Sequence, residues 1–95
     1  MEGIYAFLNS KTTSDLVYVN CGSYDNGTPD EVAQSIIDSD IIKADAKIFV
    51  FVSFSRGSSY KMICNKASDK YASYILFGYY ASRISYHTKT NGVWS

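Results

Sequence analysis

Only one proline, one histidine, one tryptophan and two cysteines occur among the 95 residues of this chain. Each scarcity excludes something. Cys21 and Cys64 allow at most one disulfide, so no multi-bridge framework can stand in for a hydrophobic core. Both cysteines sit within or at the end of apolar strand-like segments, where a reduced, packed thiol is the ordinary state. That pattern suits synthesis in a reducing cytoplasm. With His87 alone, any Ser-His-Asp or Cys-His arrangement must pass through one residue, and nothing beside it reads as a strained nucleophile turn. On an alternating strand, His87 reads as a surface or contact residue. Cys21, Cys64 and His87 contain no closely spaced ligand pair, so no metal site is expected.

Charge of one sign is also missing. Nine basic and nine acidic residues give a net charge of zero. No two lysines or arginines are adjacent, which argues against a groove that tracks nucleic-acid phosphates. Long apolar runs are absent as well. The longest, Ile48 to Val52, has the length of a strand, so no membrane insertion is expected, and no cleavable signal pattern is visible. The expectation is a soluble protein.

What is present is apolar and aromatic. Hydrophobic residues make up 46 % of the chain, with nine Tyr and five Phe. Residues 1–95 form a single domain whose core is thin at this length, so oligomerisation would help it. The tyrosines fit two readings equally: rigid amphipathic contact residues, or simple β propensity.

The pattern along the chain is mainly strand. "IYAFLN" (Ile4 to Asn9) and "DLVYVN" (Asp15 to Asn20) alternate as strands across a polar connection. The turn-rich "GSYDNGT" then leads to "TPDEVAQSIIDS". There Thr28 is placed to cap, Pro29 takes the first helical position and Glu31 completes a capping box. Val32, Ala33, Ile36 and Ile37 share one face, which predicts a helix from Pro29 to Ser39 lying on a sheet. "AKIFVFVSF" (Ala46 to Phe54) is apolar on both faces, with Phe49 and Phe51 opposite Ile48, Val50, Val52 and Phe54. It is therefore a central strand covered by another layer or another subunit. "YKMICN", "YASYILFGYY" and "SRISYHTK" follow through short turns. In the last, Ile84, Tyr86 and Thr88 point one way and Arg83, Ser85, His87 and Lys89 the other. The predicted fold is mainly β: a small antiparallel β-sandwich, built as a meander, with one inserted α-helix.

The search for chemistry is negative. "DNGTPDE" lacks the alternating oxygen ligands of a calcium loop, and turn plus helix cap explains each of its residues. "NGT" at Asn26 marks an exposed turn, and "SRGSS" lacks the spaced glycines and lysine of a phosphate cradle. Asp38 and Asp40 follow the helix in a polar stretch and read as solvated surface. No enzyme activity and no cofactor are expected.

The end of the chain carries the one motif. Thr90-Asn91-Gly92 supplies the positive backbone angles of a tight hairpin. That turn folds Val93 and Trp94 back on the preceding strand, where Trp94 closes one end of the core. An exposed, sugar-stacking Trp94 is the competing reading. The run from Tyr71 onward resembles the end of bacteriophage tail-fibre and pyocin knob domains, in which an apolar strand and an aromatic run precede "I-Y-x-R-T" and "N-G-x-W-S". The matching pieces are Tyr74-Ile75-Leu76, Tyr79-Tyr80, Arg83-Ile84-Ser85-Tyr86-His87-Thr88 and Asn91-Gly92-Val93-Trp94-Ser95. His87 stands where the family usually has Arg, and no repetitive shaft is present. The resemblance implies a virion component made in the host cytoplasm, a homo-oligomer with a trimer favoured, and an interface using Phe49 and Phe51. It implies a fibre-tip-like structural or receptor-binding role toward a host-surface ligand, saccharide first and protein second. Tyr79, Tyr80, Arg83, Tyr86 and His87 would supply rings for sugar faces and polar groups for hydroxyls. The competing reading makes these tyrosines core or subunit-contact residues. The alternative is a small phage or mobile-element protein that binds and inhibits a host protein.

Overall fold

A computed structural model of the chain describes residues 16–78 and 83–95, apart from the side chains of Leu16 and Arg83. The expected strand from Ile4 to Asn9, and Tyr79 and Tyr80, lie outside the described residues. Within them, β1 (Leu16–Ser23), α1 (Pro29–Asp38), β2 (Phe49–Arg56), β3 (Ser58–Lys66), β4 (Ala72–Gly78), β5 (Arg83–Thr90) and β6 (Val93–Trp94) follow in order. The six strands form one sheet in which spatial order equals chain order.

The domain is mainly β with one inserted helix, as the pattern predicts. The strands from β2 to β6 form the antiparallel meander. β1 differs, because it pairs with β2 in parallel. Parallel neighbours need a long crossover, and α1 with its flanking loops supplies one between Ser23 and Phe49. The layer packed on the sheet is that helix and the Ile42 loop behind it.

The helix forms for local reasons. Thr28 Oγ1 accepts from the Glu31 N–H at 3.1 Å, and Glu31 Oε1 accepts from the Thr28 N–H at 2.8 Å. Two of the unpaired N–H groups at the helix start are satisfied reciprocally, and Pro29 lacks a third. At the other end the Ser39 hydroxyl donates to Ile36 O at 2.6 Å. Val32, Ala33, Ile36 and Ile37 are buried against Val50, Val52, Phe54, Met62, Cys64, Tyr74 and Leu76. Each large side chain removed from water this way contributes roughly 1.5–3 kcal/mol before entropy is counted. Lys66 is the one buried charged residue among those described. Its ammonium donates to Ser39 O at 3.1 Å and Ile42 O at 3.0 Å, just past the helix C-terminus. Cations are favoured there because the last carbonyls lack partners.

Alternation divides the sheet into two faces. Val50, Val52 and Phe54 of β2 face the helix, while Phe49 and Phe51 face away and are half-buried. The final turn is a two-residue hairpin in which Thr90 pairs with Val93, with φ of +57° at Asn91 and +86° at Gly92. Both central residues take left-handed angles, and Asn-Gly tolerates them at least cost.

Candidate functional site

On the helix face, the side chains of Tyr74, Ser85 and His87 converge on Asp30 in the first turn of α1. Tyr74 Oη donates to Asp30 Oδ1 at 2.7 Å and accepts from Gln34 Nε2 at 3.2 Å. Ser85 Oγ donates to the same Asp30 oxygen at 2.8 Å, and His87 Nε2 lies 3.6 Å from it. The other ring nitrogen of His87 sits 2.8 Å from the Ser95 carbonyl oxygen. Burial pushes the Tyr74 hydroxyl well above its ordinary value, and the bond to Asp30 adds to the rise. Ser, His and Asp are therefore neighbours in space, but both donors point at the carboxylate. The Ser85 proton is held by Asp30, so the arrangement gives His87 no nucleophile to deprotonate. Its chemical effect is to pin α1 to β4 and β5.

Trp94 lies beside this cluster. Its ring packs edge-on against Tyr74 at 5.4 Å between centroids, and it is half-buried at the rim of the core. The indole N–H reaches Asp38 at 3.1 Å, and Lys89 Nζ meets the same carboxylate at 2.8 Å. Asp38, read from sequence as solvated surface, is in fact the acceptor that holds the last hairpin. Trp94 closes the core as the motif suggests, with its polar edge turned outward.

The opposite face has a different character. The pairs Tyr18–Phe51, Phe51–Ile63, Ile63–Ile75 and Ile75–Tyr86 set five apolar side chains at one level across β1 to β5. Tyr18 stacks on Phe51 at 5.2 Å, and the two end residues are the most open, with Tyr18 78 % and Tyr86 63 % exposed. Ile84, also on this face, is 70 % exposed. Beside the row lies a hollow of about 300 Å³ lined by Tyr18, Phe51, Ser53, Lys61, Ile63 and Phe77. Lys61 donates to Ser53 Oγ at 2.7 Å. Among the described residues no helix covers this face.

Of the ligand residues expected from sequence, the two whose side chains are described lie on opposite faces of β5. Tyr86 projects from the open face, whereas His87 projects toward the helix and bonds Ser95. Arg83 is placed by its backbone in β5, and Tyr79 and Tyr80 lie outside the described residues. Phe51 joins the open-face row. Asn91 and Gly92 form the last turn, and Trp94 packs partly buried at the edge of the core. Residues that sequence reasoning missed are Asp30, Tyr74 and Ser85, whose contacts span 44 and 55 positions. The row from Tyr18 to Tyr86 was missed too, because it exists only once the strand registers are known. Among the described residues, no group of three or more His, Cys, Asp or Glu side chains could hold a metal ion, and no helix is long and apolar enough to cross a membrane. No protein-family model, curated protein or solved structure matches this chain.

Proposed function

We propose that this chain works by binding a protein surface with the open face of its sheet, as a small recognition or structural subunit rather than a catalyst. The row Tyr18–Phe51–Ile63–Ile75–Tyr86 carries the reading, because it is apolar, continuous over five strands and open at both ends. Contiguous apolar patches on protein surfaces mark interaction sites. Aromatic rings add contact area at small conformational cost. The isoleucines at the centre of the row suit a protein partner, since a sugar needs polar side chains beside each ring.

The tail-tip resemblance of the C-terminal hairpin supplies the setting, a phage tail-associated structural or receptor-binding subunit of the virion. A host-surface saccharide is the second reading, favoured by the exposed phenols of Tyr18 and Tyr86. Inhibition of a host protein by a phage or mobile-element product would use the same face.

A photo-crosslinking phenylalanine analogue at position 86 tests the reading in cells that make the protein. Protein adducts are expected there and not at position 26, in the exposed turn before α1. No adduct at position 86, together with binding of host cell-wall glycans in a titration, would replace the protein reading by the saccharide one. Neither signal would leave the face inert and the proposal rejected.

A further inference from the structure

We infer that the occupant of the open face is a second copy of this chain, packed sheet on sheet about a two-fold axis. The inference rests on the reading above that this face docks a protein.

Area supports it. Five strands about 4.8 Å apart, each about six residues long at roughly 3.3 Å per residue, span a face of roughly 24 by 20 Å. Two such faces bury on the order of 1,000 Å² together, the size at which specific interfaces begin. Charge supports it as well. Lys61 is the one charged side chain described on the face, and it already donates to Ser53. The Ser53 hydroxyl leaves the Lys61 charge uncompensated, so the ammonium must stay at the wet rim of a pairing, and a chain of net charge zero meets its copy without long-range repulsion.

The registers also select the geometry. Lys61 lies two residues before Ile63 on β3, and Asn65 lies two residues after it. An axis along β3 would set Lys61 against Lys61 in a layer drained of water, a costly like-charge contact. An axis along the row itself lays each strand on its counterpart in reverse. Ile63 then meets Ile63, and each Lys61 passes over Asn65 of the second copy, whose amide oxygen can accept from it. The apolar row becomes the dry centre of the interface, flanked by Ser53, Lys61 and Phe77 on one side and by Asn65, Ser73 and Thr88 on the other. Aligned sheets pack in this way about 10 Å apart, and a contact of identical patches is what two-fold symmetry requires.

Sedimentation equilibrium on the full chain tests this. The unmodified protein is expected at twice the chain mass. Tyr86→Lys, at a position already exposed, and Ile63→Lys are expected to weaken pairing by about tenfold or more. Asn26→Lys, off the face, is expected to stay paired, and circular dichroism checks that each variant is folded. A monomeric protein whose position 86 still crosslinks to another protein would overturn self-pairing and leave the docking reading standing. A monomer without adducts would sink both. A dimer that survives both lysine variants places the contact elsewhere, and a trimer sensitive to them overturns the two-fold geometry. A monomer that pairs only after removal of residues 1–15 would assign the face to that segment instead.

Discussion

Trp94 donates its indole N–H to Asp38, 3.1 Å to Oδ2 and 3.3 Å to Oδ1, and so ties the last strand to the last residue of α1. Lys89 pairs with the same carboxylate and stands 5.9 Å from the centre of the indole ring. The hairpin is thus held by an apolar contact with Tyr74 inside and a polar grip at its rim.

Removing each half of that attachment should cost different amounts. Trp94→Ala is expected to lose about 2–3 kcal/mol, less than a fully buried aromatic ring because one edge is wet. Asp38→Ala is expected to lose about 1 kcal/mol, since its bonds are exposed and partly replaced by water. Urea unfolding monitored by circular dichroism measures both. Equal losses would contradict the division between inner packing and outer grip.

Lys66 gives a larger polar effect. Its ammonium is buried and serves two carbonyls at the end of α1, while its ion pair with the exposed Asp69 is long at 3.8 Å. Lys66→Ala strands the carbonyls of Ser39 and Ile42 and opens space beneath them, for an expected loss of about 2–3 kcal/mol. Asp69→Ala should change the urea midpoint little, because an exposed pair contributes under about 1 kcal/mol. A large Asp69 effect with a small Lys66 effect would reverse this assignment.

The contrast between these contacts explains what the sequence made legible. Thr28, Pro29 and Glu31 lie within four positions, and their capping logic is local, so the helix could be placed from residue types alone. Asn91-Gly92 announced its turn for the same reason. The parallel pairing of β1 was less visible, since the meander pattern of the later strands suggested antiparallel neighbours throughout. The helix between the two strands was nevertheless the signal for a crossover. Asp38 and Trp94 are 56 positions apart, and no spacing rule connects them. Alternation along the last strand already sets Tyr86 and His87 on opposite sides in the sequence. Grouping them as one ligand set followed their closeness in sequence instead of that alternation.

Thiol chemistry offers a third check. Burial pushes Cys64 up to about 12, with Cys21 adding to the rise and Lys66 opposing it. Cys21 is also raised by burial, though less enclosed and relieved by its contact with Tyr24. Alkylation proceeds through the thiolate. At pH near 8 the native protein should therefore lose one thiol slowly, at Cys21, with Cys64 reacting only as the fold opens. Mass spectrometry of the alkylated peptides distinguishes the two sites. Equal rates for both in the native state would show that Cys64 is not enclosed under α1.

The capping box makes the helix sensitive to acid, and the sign follows from Glu31. Hydrogen bonds with the Thr28 backbone and side chain hold its carboxyl below the ordinary value of 4.5. A depressed native value means that the folded state prefers the ionised form. The resulting stability is complete above the ordinary value and is lost as pH falls through the lower native one. Between about pH 5 and pH 3 the melting temperature should fall more steeply for the unmodified chain than for Glu31→Gln, which keeps an acceptor but cannot titrate. Thr28→Ala removes the other half of the box, with an expected loss of about 1 kcal/mol at neutral pH. Thr28→Ala keeps the backbone N–H that contributes most to the depression of Glu31 and removes only the side-chain share, so it should flatten the acid slope in part. An acid slope unchanged in both variants would mean that other carboxylates govern the transition and that the box acts only as a neutral cap.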